Sequence, residues 1–477
     1  MCGIVGFYGH DQVVYDLVAG LTALQHRGQD SAGVVTFQDM FHIKKGLGLV
    51  ANVFREKNLE RLTGNMGIGH ARYTTQGTNE LVNVQPFAVN YPFGLAMVHN
   101  GNVINFKELR KTLYEDHHRL LETSNDLELL LYTLAAELEQ KDLKHLSVDD
   151  IFQSVETTQR KVRGAYSTIT MIANRGFLVF NDPYGIRPLV MGQRKDRDGL
   201  TYGFASESTC FDYLGYETVG DLEPGETVFI DAKRQAHRRT TCQEGKAFCV
   251  FEYIYFARED SMIHNRFVAS ERVRMGKKLA ETVKLSGLDP DIIIDVPSSA
   301  YFFASSLAEE MEIAYRRGLA KNNHIGRSFI SPTQQEREQV VRHKLNPIKE
   351  IIRGKKVAVV DDSIVRGTTS KRIVKLLRNA GAEKVYFISA APPIKYPCIY
   401  GIDMAISTDL IATKLPSIEE IAEYLEADAL IYQSLEDLQA LYPENSMCYA
   451  CFEGKYPTGH CQEELSQIEQ ERIASQK

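Results

Sequence analysis

Hydrophobic residues in the first half of the chain come in short runs separated by glycines and polar turns. Four β-prone runs predict strands, at residues 34–37, 42–43, 177–180 and 227–230. Two other stretches, residues 11–25 and 124–140, repeat their leucines and valines at helical spacing. The second of these begins with Ser124-Asn125-Asp126, which is a helix-capping signal. Many strands with few helices predict a layered α+β domain.

The pattern is different in the second half. Continuous apolar runs at residues 292–294 and 357–360 are typical of strands that are buried on both faces of a parallel sheet. A helical stretch over residues 370–380 ends at Gly381, and the strand-like run 385–388 follows it. This alternation of strands and helices predicts an open α/β sheet.

A polar segment, residues 231–246, separates the two patterns. Its basic residues include Lys233, Arg234, His237, Arg238 and Arg239, and apolar side chains are nearly absent. Such a cluster is compatible with a phosphate-binding patch, but we favour a solvated connecting segment between two domains.

Composition narrows the class of protein. The 477 residues carry 55 Lys and Arg against 62 Asp and Glu, and the net charge of −7 argues against a nucleic-acid partner. No apolar run reaches the ~18 residues of a membrane helix, and the first residues do not resemble a signal peptide. Eight cysteines are too few for a secreted disulfide scaffold. We therefore expect a cytoplasmic protein of several domains, with no membrane partner.

Cys2 is the first candidate for chemistry. Removal of Met1 would leave a residue that carries both a thiol and a free α-amine. An α-amine has a pKa of about 7.7–8.0 and a thiol one of about 8.5, so the amine can accept the thiol proton near neutral pH. Nucleophile and base then need no partner elsewhere in the chain. A cysteine at position 2 is uninformative alone, and the motifs that follow give it weight.

These motifs occur in the order found in N-terminal-nucleophile glutamine amidotransferases. They are residues 2–6 (CGIVG), 26–33 (HRGQDSAG), 69–75 (GHARYTT), 99–101 (HNG), 181–189 (NDPYGIRPL) and 205–208 (ASES). Residues 2–230 therefore resemble this family, which implies an αββα fold of the α+β class and release of ammonia from glutamine. The resemblance assigns Cys2 as nucleophile, Asn100 and Gly101 as oxyanion donors, and Arg72, Thr75 and Asp126 to glutamine binding.

The assigned residue types suit that chemistry. The Asn100 amide and the Gly101 backbone N–H can donate to an oxyanion. The planar guanidinium of Arg72 can bind both oxygens of a carboxylate, and Asp126 can pair with the substrate ammonium. In isolation, Arg72 would be interpreted as a salt-bridge residue and Asp126 as a charge at a helix N-terminus.

A second candidate site lies at residues 357–370 (VAVVDDSIVRGTTS), where an apolar strand leads through two acids and a turn into a helix. The backbone N–H groups of the turn and helix start predict a monophosphate site at the end of the strand. This segment lacks the Gly-Lys-Ser/Thr of a P-loop, and residues 46–51 lack the βαβ context of a dinucleotide site. The segment resembles the phosphoribosyl pyrophosphate (PRPP) motif of type I phosphoribosyltransferases. That resemblance assigns the following residues to PRPP binding: Asp361, Asp362, Ser363, Arg366, Gly367, Thr368 and Thr369.

A long basic stretch, residues 321–346, resembles the catalytic loop of the amidophosphoribosyltransferase family, and its length and polarity suit a lid over pyrophosphate. Its candidates for PRPP binding are Lys321, Arg327 and Lys344. Residues 251–258 (FEYIYFAR) also resemble this family. We expect an α/β type I phosphoribosyltransferase domain over residues 247–445.

The family resemblance also implies Mg²⁺, with Asp361 and Asp362 as its ligands. The sequence departs from the family pattern at three positions. Glu259 stands in place of a proline, Ser298 in place of an acid, and Ala300 in place of a Mg²⁺-linked serine. Ser299 is the substitute ligand that the sequence offers.

Cys448 and Cys451 form a C-x-x-C pair, which is compatible with a zinc half-site, a cluster half-site or a redox pair. The iron–sulfur branch of the family has one cysteine before the FEYIYF segment, one after a Pro-Pro strand end, and a closing C-x-x-C. Cys249, Cys398, Cys448 and Cys451 occupy these places, so we favour a [4Fe-4S] cluster over zinc or an empty site. The cysteine-bearing tail, residues 446–477, is expected to pack on the second domain. The ordinary thiols are Cys210, Cys242 and Cys461.

Together the resemblances imply an enzyme that makes 5-phosphoribosylamine, pyrophosphate and glutamate from PRPP, glutamine and water, in the first committed step of purine biosynthesis. They also imply a homotetramer that purine nucleotides inhibit. Two alternatives are a synthase with a sugar-isomerase acceptor half, such as a glucosamine-6-phosphate synthase, and a PRPP-sensing regulator. The PRPP motif argues against the first, and Cys2 with the basic lid argues against the second.

Overall fold

The computed structural model describes residues 1–73, 80–322, 345–402, 406–459, 465–466 and 468–470. Within these ranges, no helix combines the length and the apolar character needed to cross a membrane.

The first half of the chain forms two stacked antiparallel sheets. Its strands are β1 (Gly3–Tyr8), β2 (Ser31–Phe37), β3 (Phe41–Leu47), β4 (Met66–Arg72), β5 (Phe87–Val89), β6 (Leu95–Val103), β7 (Gly164–Ile172), β8 (Gly176–Asn181), β9 (Val190–Asp196), β10 (Gly199–Ala205), β11 (Glu217–Asp221), β12 (Glu226–Asp231) and β13 (Ala236–Thr240). In the described part of the chain, one sheet has the strand order β11-β9-β10-β1-β4-β2-β3 and the other the order β13-β12-β8-β7-β6-β5.

Helices cover the outer faces of both sheets. They are α1 (Val14–Ala23), α2 (Val50–Val53), α3 (Glu56–Leu59), α4 (Phe106–Glu115), α5 (Asp126–Glu139), α6 (Val148–Lys161) and α7 (Thr209–Leu214). Strand β1 is buried along its whole length because both of its faces are covered. Val5 and Phe7 pack under α1 and α7, whereas Ile4 and Tyr8 pack against the second sheet. With α5 and α6 on the far side, these layers confirm the predicted αββα fold.

The second half contains a parallel sheet with helices on both faces. Its strands are β14 (Phe248–Cys249), β15 (Met262–Ile263), β16 (Arg266–Phe267), β17 (Ile292–Asp295), β18 (Leu319–Lys321), β19 (Leu345–Pro347), β20 (Lys356–Asp361), β21 (Lys384–Ser389), β22 (Ala429–Tyr432) and β23 (Met447–Cys448). The parallel order β17-β20-β21-β22 confirms the predicted α/β class.

The helices of this half follow in chain order. They are α8 (Val268–Ser286), α9 (Tyr301–Met311), α10 (Lys349–Ile352), α11 (Thr368–Asn379), α12 (Ile411–Lys414), α13 (Ile418–Leu425), α14 (Leu435–Ala440) and α15 (Ala450–Glu453). Helices α8 and α9 cover one face of the parallel sheet, and α11 and α13 cover the other.

The predicted helices can be compared with the observed ones at their ends. Asn125 accepts a hydrogen bond from the Leu127 N–H and starts α5, as the capping signal predicted. The helix predicted over residues 370–380 spans Thr368–Asn379 in the structure, and Gly367, in the left-handed region with φ 74°, precedes it. The helix predicted over residues 11–25 is shorter in the structure, because it ends at Ala23.

The segment 231–246 is not merely a connection, because residues 236–240 form β13, an edge strand paired with β12. An edge strand with exposed residues carries no apolar pattern, which is why the sequence did not indicate it. Three lysine and arginine residues of this segment are paired with acids: Arg238 with Glu226, Arg239 with Asp149 and Lys246 with Glu223.

Candidate active sites

Cys2 lies immediately before β1, among the ends of neighbouring strands. Its thiol donates to the Tyr73 carbonyl oxygen at 3.7 Å, and its backbone N–H donates to Asn100 Oδ1 at 3.1 Å. Strands β1 and β4 are antiparallel with Gly3 opposite Ala71, and this register brings Arg72 beside Cys2. Met1 precedes Cys2 with a buried side chain. Removal of Met1 would turn the Cys2 nitrogen into an α-amine within reach of Asn100.

Asn100 and Gly101 lie next to each other on β6. Asn100 is buried, and its Nδ2 has no hydrogen-bond partner among the described residues. A buried donor without a partner is costly, and is the state expected of a group that waits for a ligand oxygen. Gly101 has φ 156°, and a Cβ there would collide with the carbonyl oxygen of Ala165. The backbone at this position therefore requires glycine.

Arg72 and Asp126 provide opposite charges near Cys2. Asp126 is the first residue of α5, and its Oδ2 accepts from His99 Nε2 at 3.1 Å and from the Val103 N–H at 2.9 Å. Burial raises the pKa of Asp126, but the adjacent His99 and these hydrogen bonds outweigh it and leave the pKa below its ordinary value. Burial lowers the pKa of Arg72, and the charges of Cys2 and Asp126 oppose that shift. The positive charge of Arg72 suits the carboxylate of an amino acid, and the negative charge of Asp126 suits its ammonium group. Thr75 lies outside the described residues.

A buried ionic network behind Cys2 was missed by sequence reasoning. Arg27 donates from Nε to the Cys2 carbonyl oxygen at 3.0 Å and forms ion pairs with Glu207 and Glu252. Burial raises the pKa of Glu207, but the charges of His26 and Arg27 outweigh it and hold that pKa far below its ordinary value. Arg27 lies in the motif at residues 26–33 and Glu207 in the motif at residues 205–208. A charged residue among small ones in each motif was the feature that could have indicated a functional role.

The acidic pair of the second site lies at the end of β20. Asp361 and Asp362 are both buried, and the Ser363 hydroxyl donates to Asp362 Oδ2 at 2.7 Å. Burial and the neighbouring Asp362 charge raise the pKa of Asp361 well above its ordinary value. Burial also raises the pKa of Asp362, against its serine hydrogen bonds and the Arg272 charge. Such a pair can accept from sugar hydroxyls or contact a cation.

The turn after this pair leads into the N-terminus of α11. No side chain of the described residues caps this helix, and Thr368 and Thr369 are exposed at its start. Its first backbone N–H groups are therefore available to an anion. Arg366 is exposed beside them, with its Nε 3.5 Å from Asp409 Oδ2.

Ser299 approaches the acidic pair from the neighbouring strand-to-helix turn. Its hydroxyl donates to Asp362 Oδ1, whereas Ala300 is fully buried at the start of α9. The hydroxyl of position 299 therefore reaches Asp362, although the family pattern expects a serine at position 300. Lys321 Nζ lies 3.2 Å from Ser298 Oγ in the same turn. Arg327 and Lys344 lie outside the described residues.

The four cysteines singled out by the sequence are buried and close together. Parallel strands β14 and β23 pair Cys249 directly with Cys448, and Cys451 follows in α15. Burial raises the pKa of Cys451, and the charges of the other three thiols add to that shift. Cys398 Sγ accepts from the Tyr400 N–H at 3.4 Å and lies 3.9 Å from Arg187 Nη2. Among the described residues, no group of three or more His, Cys, Asp or Glu is arranged to hold a metal ion.

Similarity to known proteins covers both sites. A glutamine amidotransferase domain family matches residues 70–213, and a phosphoribosyl transferase domain family matches residues 269–395. The amidophosphoribosyltransferase of Escherichia coli is 45% identical over 93% of this chain and 89% of its own length. The Haemophilus influenzae amidophosphoribosyltransferase is 43% identical over 100% of this chain and 96% of its own length.

A solved structure shows the same overall architecture. The glutamine PRPP amidotransferase of Bacillus subtilis, complexed with ADP and GMP, superposes with a TM-score of 0.86 and 37% identity over 97% of this chain and 98% of its own. Both predicted halves thus occur together, in the same order, in proteins of one named activity. The chain belongs to the amidophosphoribosyltransferase family, glutamine-dependent glycosyltransferases of purine biosynthesis that act on PRPP.

Proposed function

We propose that Cys2 releases ammonia from glutamine and that the acidic-pair site transfers this ammonia to C1 of PRPP. The observation that carries the first half is the double use of Asn100. Its Oδ1 accepts from the Cys2 nitrogen, while its Nδ2 stays without a partner among the described residues. One side chain thus orients the nucleophile's nitrogen and keeps a donor free for the reacting oxygen.

The glutaminase steps follow from the groups around Cys2. Once Met1 is removed, the α-amine takes the thiol proton and the thiolate attacks the side-chain carbonyl carbon of glutamine. Asn100 Nδ2 and the Gly101 N–H stabilise the oxyanion, while Arg72, Thr75 and Asp126 hold the amino-acid end. The protonated amine then gives its proton to the leaving nitrogen, and ammonia departs. Water hydrolyses the thioester, which yields glutamate and restores the thiol.

At the second site, Asp361 and Asp362 accept hydrogen bonds from the ribose hydroxyls. The turn and helix start hold the 5′-phosphate through Ser363, Arg366, Gly367, Thr368 and Thr369. Lys321, Arg327 and Lys344 contact the pyrophosphate, which leaves as ammonia bonds to C1 with inversion. The side chains of Asp361, Asp362 and Ser299 would suit Mg²⁺, because their donor atoms are all hard oxygens and the Ser299 hydroxyl lies on Asp362. Bound Mg²⁺ would neutralise part of the pyrophosphate charge.

We propose the domain limits that the sequence suggested, which are residues 2–230, residues 247–445 and the tail 446–477. The one change is that the edge strand β13, which pairs with β12, is assigned to the first domain. We also propose a homotetramer in the cytoplasm. Regulation by purine nucleotides is supported by the B. subtilis relative, whose structure was solved with ADP and GMP bound.

The wild-type protein tests the reaction directly. With PRPP and glutamine we expect pyrophosphate and glutamate in equal amounts. With PRPP and ammonium chloride we expect pyrophosphate without glutamate. Both products are measured by coupled enzymatic assay at several enzyme concentrations. Absence of pyrophosphate with either nitrogen source would overturn the proposed function.

We further propose that Cys249, Cys398, Cys448 and Cys451 hold a [4Fe-4S] cluster. Support comes from the donor set, because all four residues are buried and Cys249 lies directly opposite Cys448 in paired parallel strands. The Arg187 guanidinium and the Tyr400 N–H face Cys398 and would offset the charge of thiolate ligands. A bound cluster would tie the tail to the start of the second half.

Metal analysis separates this cluster from zinc. Protein purified without oxygen is expected to contain about four iron and four acid-labile sulfide per chain. Cys451→Ser should lower both to a small fraction of that value. Cys210→Ser is the matched control, since Cys210 is equally buried but lies in the first half, and it should keep the iron. Zinc without iron in the wild type would contradict the cluster.

A further inference from the structure

We infer that the second half of the chain completes the glutaminase site, and that Glu252 is the positioning residue for the backbone of Cys2. The inference rests on the proposed role of Cys2 as nucleophile. Glu252 begins the turn of π-helix Glu252–Phe256 at the start of the second half. It is therefore far from Cys2 in sequence and outside every motif that identified the glutaminase.

The first contact is a bidentate ion pair. Arg27 donates from Nη2 to Glu252 Oε1 at 2.8 Å and from Nη1 to Glu252 Oε2 at 3.0 Å. The third donor of the same guanidinium, Nε, binds the Cys2 carbonyl oxygen at 3.0 Å. Because a guanidinium is planar and rigid, fixing two of its nitrogens on Glu252 fixes the direction of the third. Glu252 thereby sets where the Cys2 carbonyl group lies.

A second arginine extends this contact to the loop at residues 398–401. Arg187 Nη1 lies 3.6 Å from Glu252 Oε1, and its Nε donates to the Tyr400 carbonyl oxygen at 2.8 Å. The same loop supports the oxyanion strand, because Asn102 Nδ2 donates to the Ile399 carbonyl oxygen at 2.8 Å. Gly401 packs so closely that a Cβ there would stand 2.7 Å from the Gly101 carbonyl oxygen. Residues of the second half therefore contact the surroundings of both the nucleophile and the oxyanion donors.

Charge explains why Glu252 matters more than an ordinary buried acid. Two buried cations, Arg27 and Arg187, face two buried anions, Glu207 and Glu252. Neutralising Glu252 removes the bidentate anionic partner of Arg27 in a site closed to water and leaves Glu207 as its remaining ion-pair partner among the described residues. Arg27 is then drawn toward Glu207, and its hold on the Cys2 carbonyl changes. Glutamine itself is contacted by other residues, so the turnover number should fall more than the affinity.

Glu252→Gln in the full chain tests the inference, because the amide keeps the shape and removes the charge. At saturating PRPP we expect the glutamine-dependent kcat to fall about 10²-fold, the cost of a misplaced reacting group, while KM for glutamine stays within about 2-fold. Ammonia-dependent activity should persist. The rate at which iodoacetamide alkylates Cys2 should fall as well, which a purely structural role would not require.

Glu271→Gln is the matched control. Glu271 is a buried acid of the same half that pairs with Arg274 and Arg266, away from Cys2. It should leave the ratio of glutamine- to ammonia-dependent activity unchanged. Glu252→Asp, which keeps the charge, should recover part of the lost kcat and replaces the amide variant if that variant does not fold.

Three outcomes would overturn the inference. They are equal losses of glutamine- and ammonia-dependent activity in Glu252→Gln, an unchanged kcat, or the same selective loss in Glu271→Gln. The proposed function fails separately, if wild-type protein makes no pyrophosphate or if Cys2→Ala still uses glutamine.

Discussion

Replacing Cys2 with alanine is expected to abolish the use of glutamine while ammonia-dependent synthesis stays near the wild-type rate. The thiol is the only group that can form the thioester, so its loss should lower glutamine-dependent activity roughly 10³-fold or more. The acidic pair and the turn before α11 are untouched, because they belong to the parallel-sheet half. The measurement is pyrophosphate release from PRPP with glutamine and, separately, with ammonium chloride.

Cys242→Ala is the matched control for this variant. Cys242 is buried, whereas Cys2 is half-buried, and Cys242 lies after β13, outside the proposed site. It should retain both activities. If Cys2→Ala lost both activities while remaining folded, Cys2 would have a structural function and the division of labour between the two halves would be wrong.

Replacing Asp362 with asparagine is expected to lower activity with both nitrogen sources, glutamine and ammonia, whereas Cys2→Ala affects glutamine alone. Asparagine can still bond to Ser299 and Ser363, so the substitution removes mainly the charge that the sugar hydroxyls and Mg²⁺ contact. A lost hydrogen bond to a charged group is worth ~1.5–3 kcal/mol, and we expect a fall of about 10²-fold in kcat/KM for PRPP. Initial rates over a PRPP series measure this value.

Asp289→Asn serves as the control, because Asp289 is an acid of the same half that pairs with Lys356 at the other end of β20. Its kcat/KM for PRPP should match the wild type. Alkylation of Cys2 by iodoacetamide should be unchanged in Asp362→Asn. Normal PRPP kinetics in Asp362→Asn would show that Asp362 does not contact the substrate.

Periodicity was enough to predict both fold classes, because strands buried on two faces and amphipathic helices leave strong local patterns. The family resemblance singled out Cys2, Arg72, Asn100 and Asp126, and the structure brings these four residues together. Strand β13 was not predicted, since an exposed edge strand needs no apolar residues. Ser299 was named as the substitute for a serine at position 300, but its contact with Asp362 depends on the geometry of the turn and could not be predicted from the sequence.

Nothing in the sequence indicated that Arg27 and Glu252 pair with each other, although each lies within a motif. The two residues are 225 positions apart, and each would be interpreted alone as a surface charge. Only the packing of one sheet system on the other removes water from both and makes their pairing necessary. Long-range pairs of this kind are the part of a site that one sequence cannot reveal.

The close approach of Gly401 to Gly101 has a consequence for protein engineering. From its motifs, which all end before residue 230, the glutaminase half would be taken for a domain that can be transferred to another protein. A graft that took only this segment would leave a groove under the oxyanion strand and two buried arginines facing solvent. The smallest unit that can be transplanted is therefore discontinuous in sequence, and any chimaera must bring residues 252 and 399–401 along with the first half.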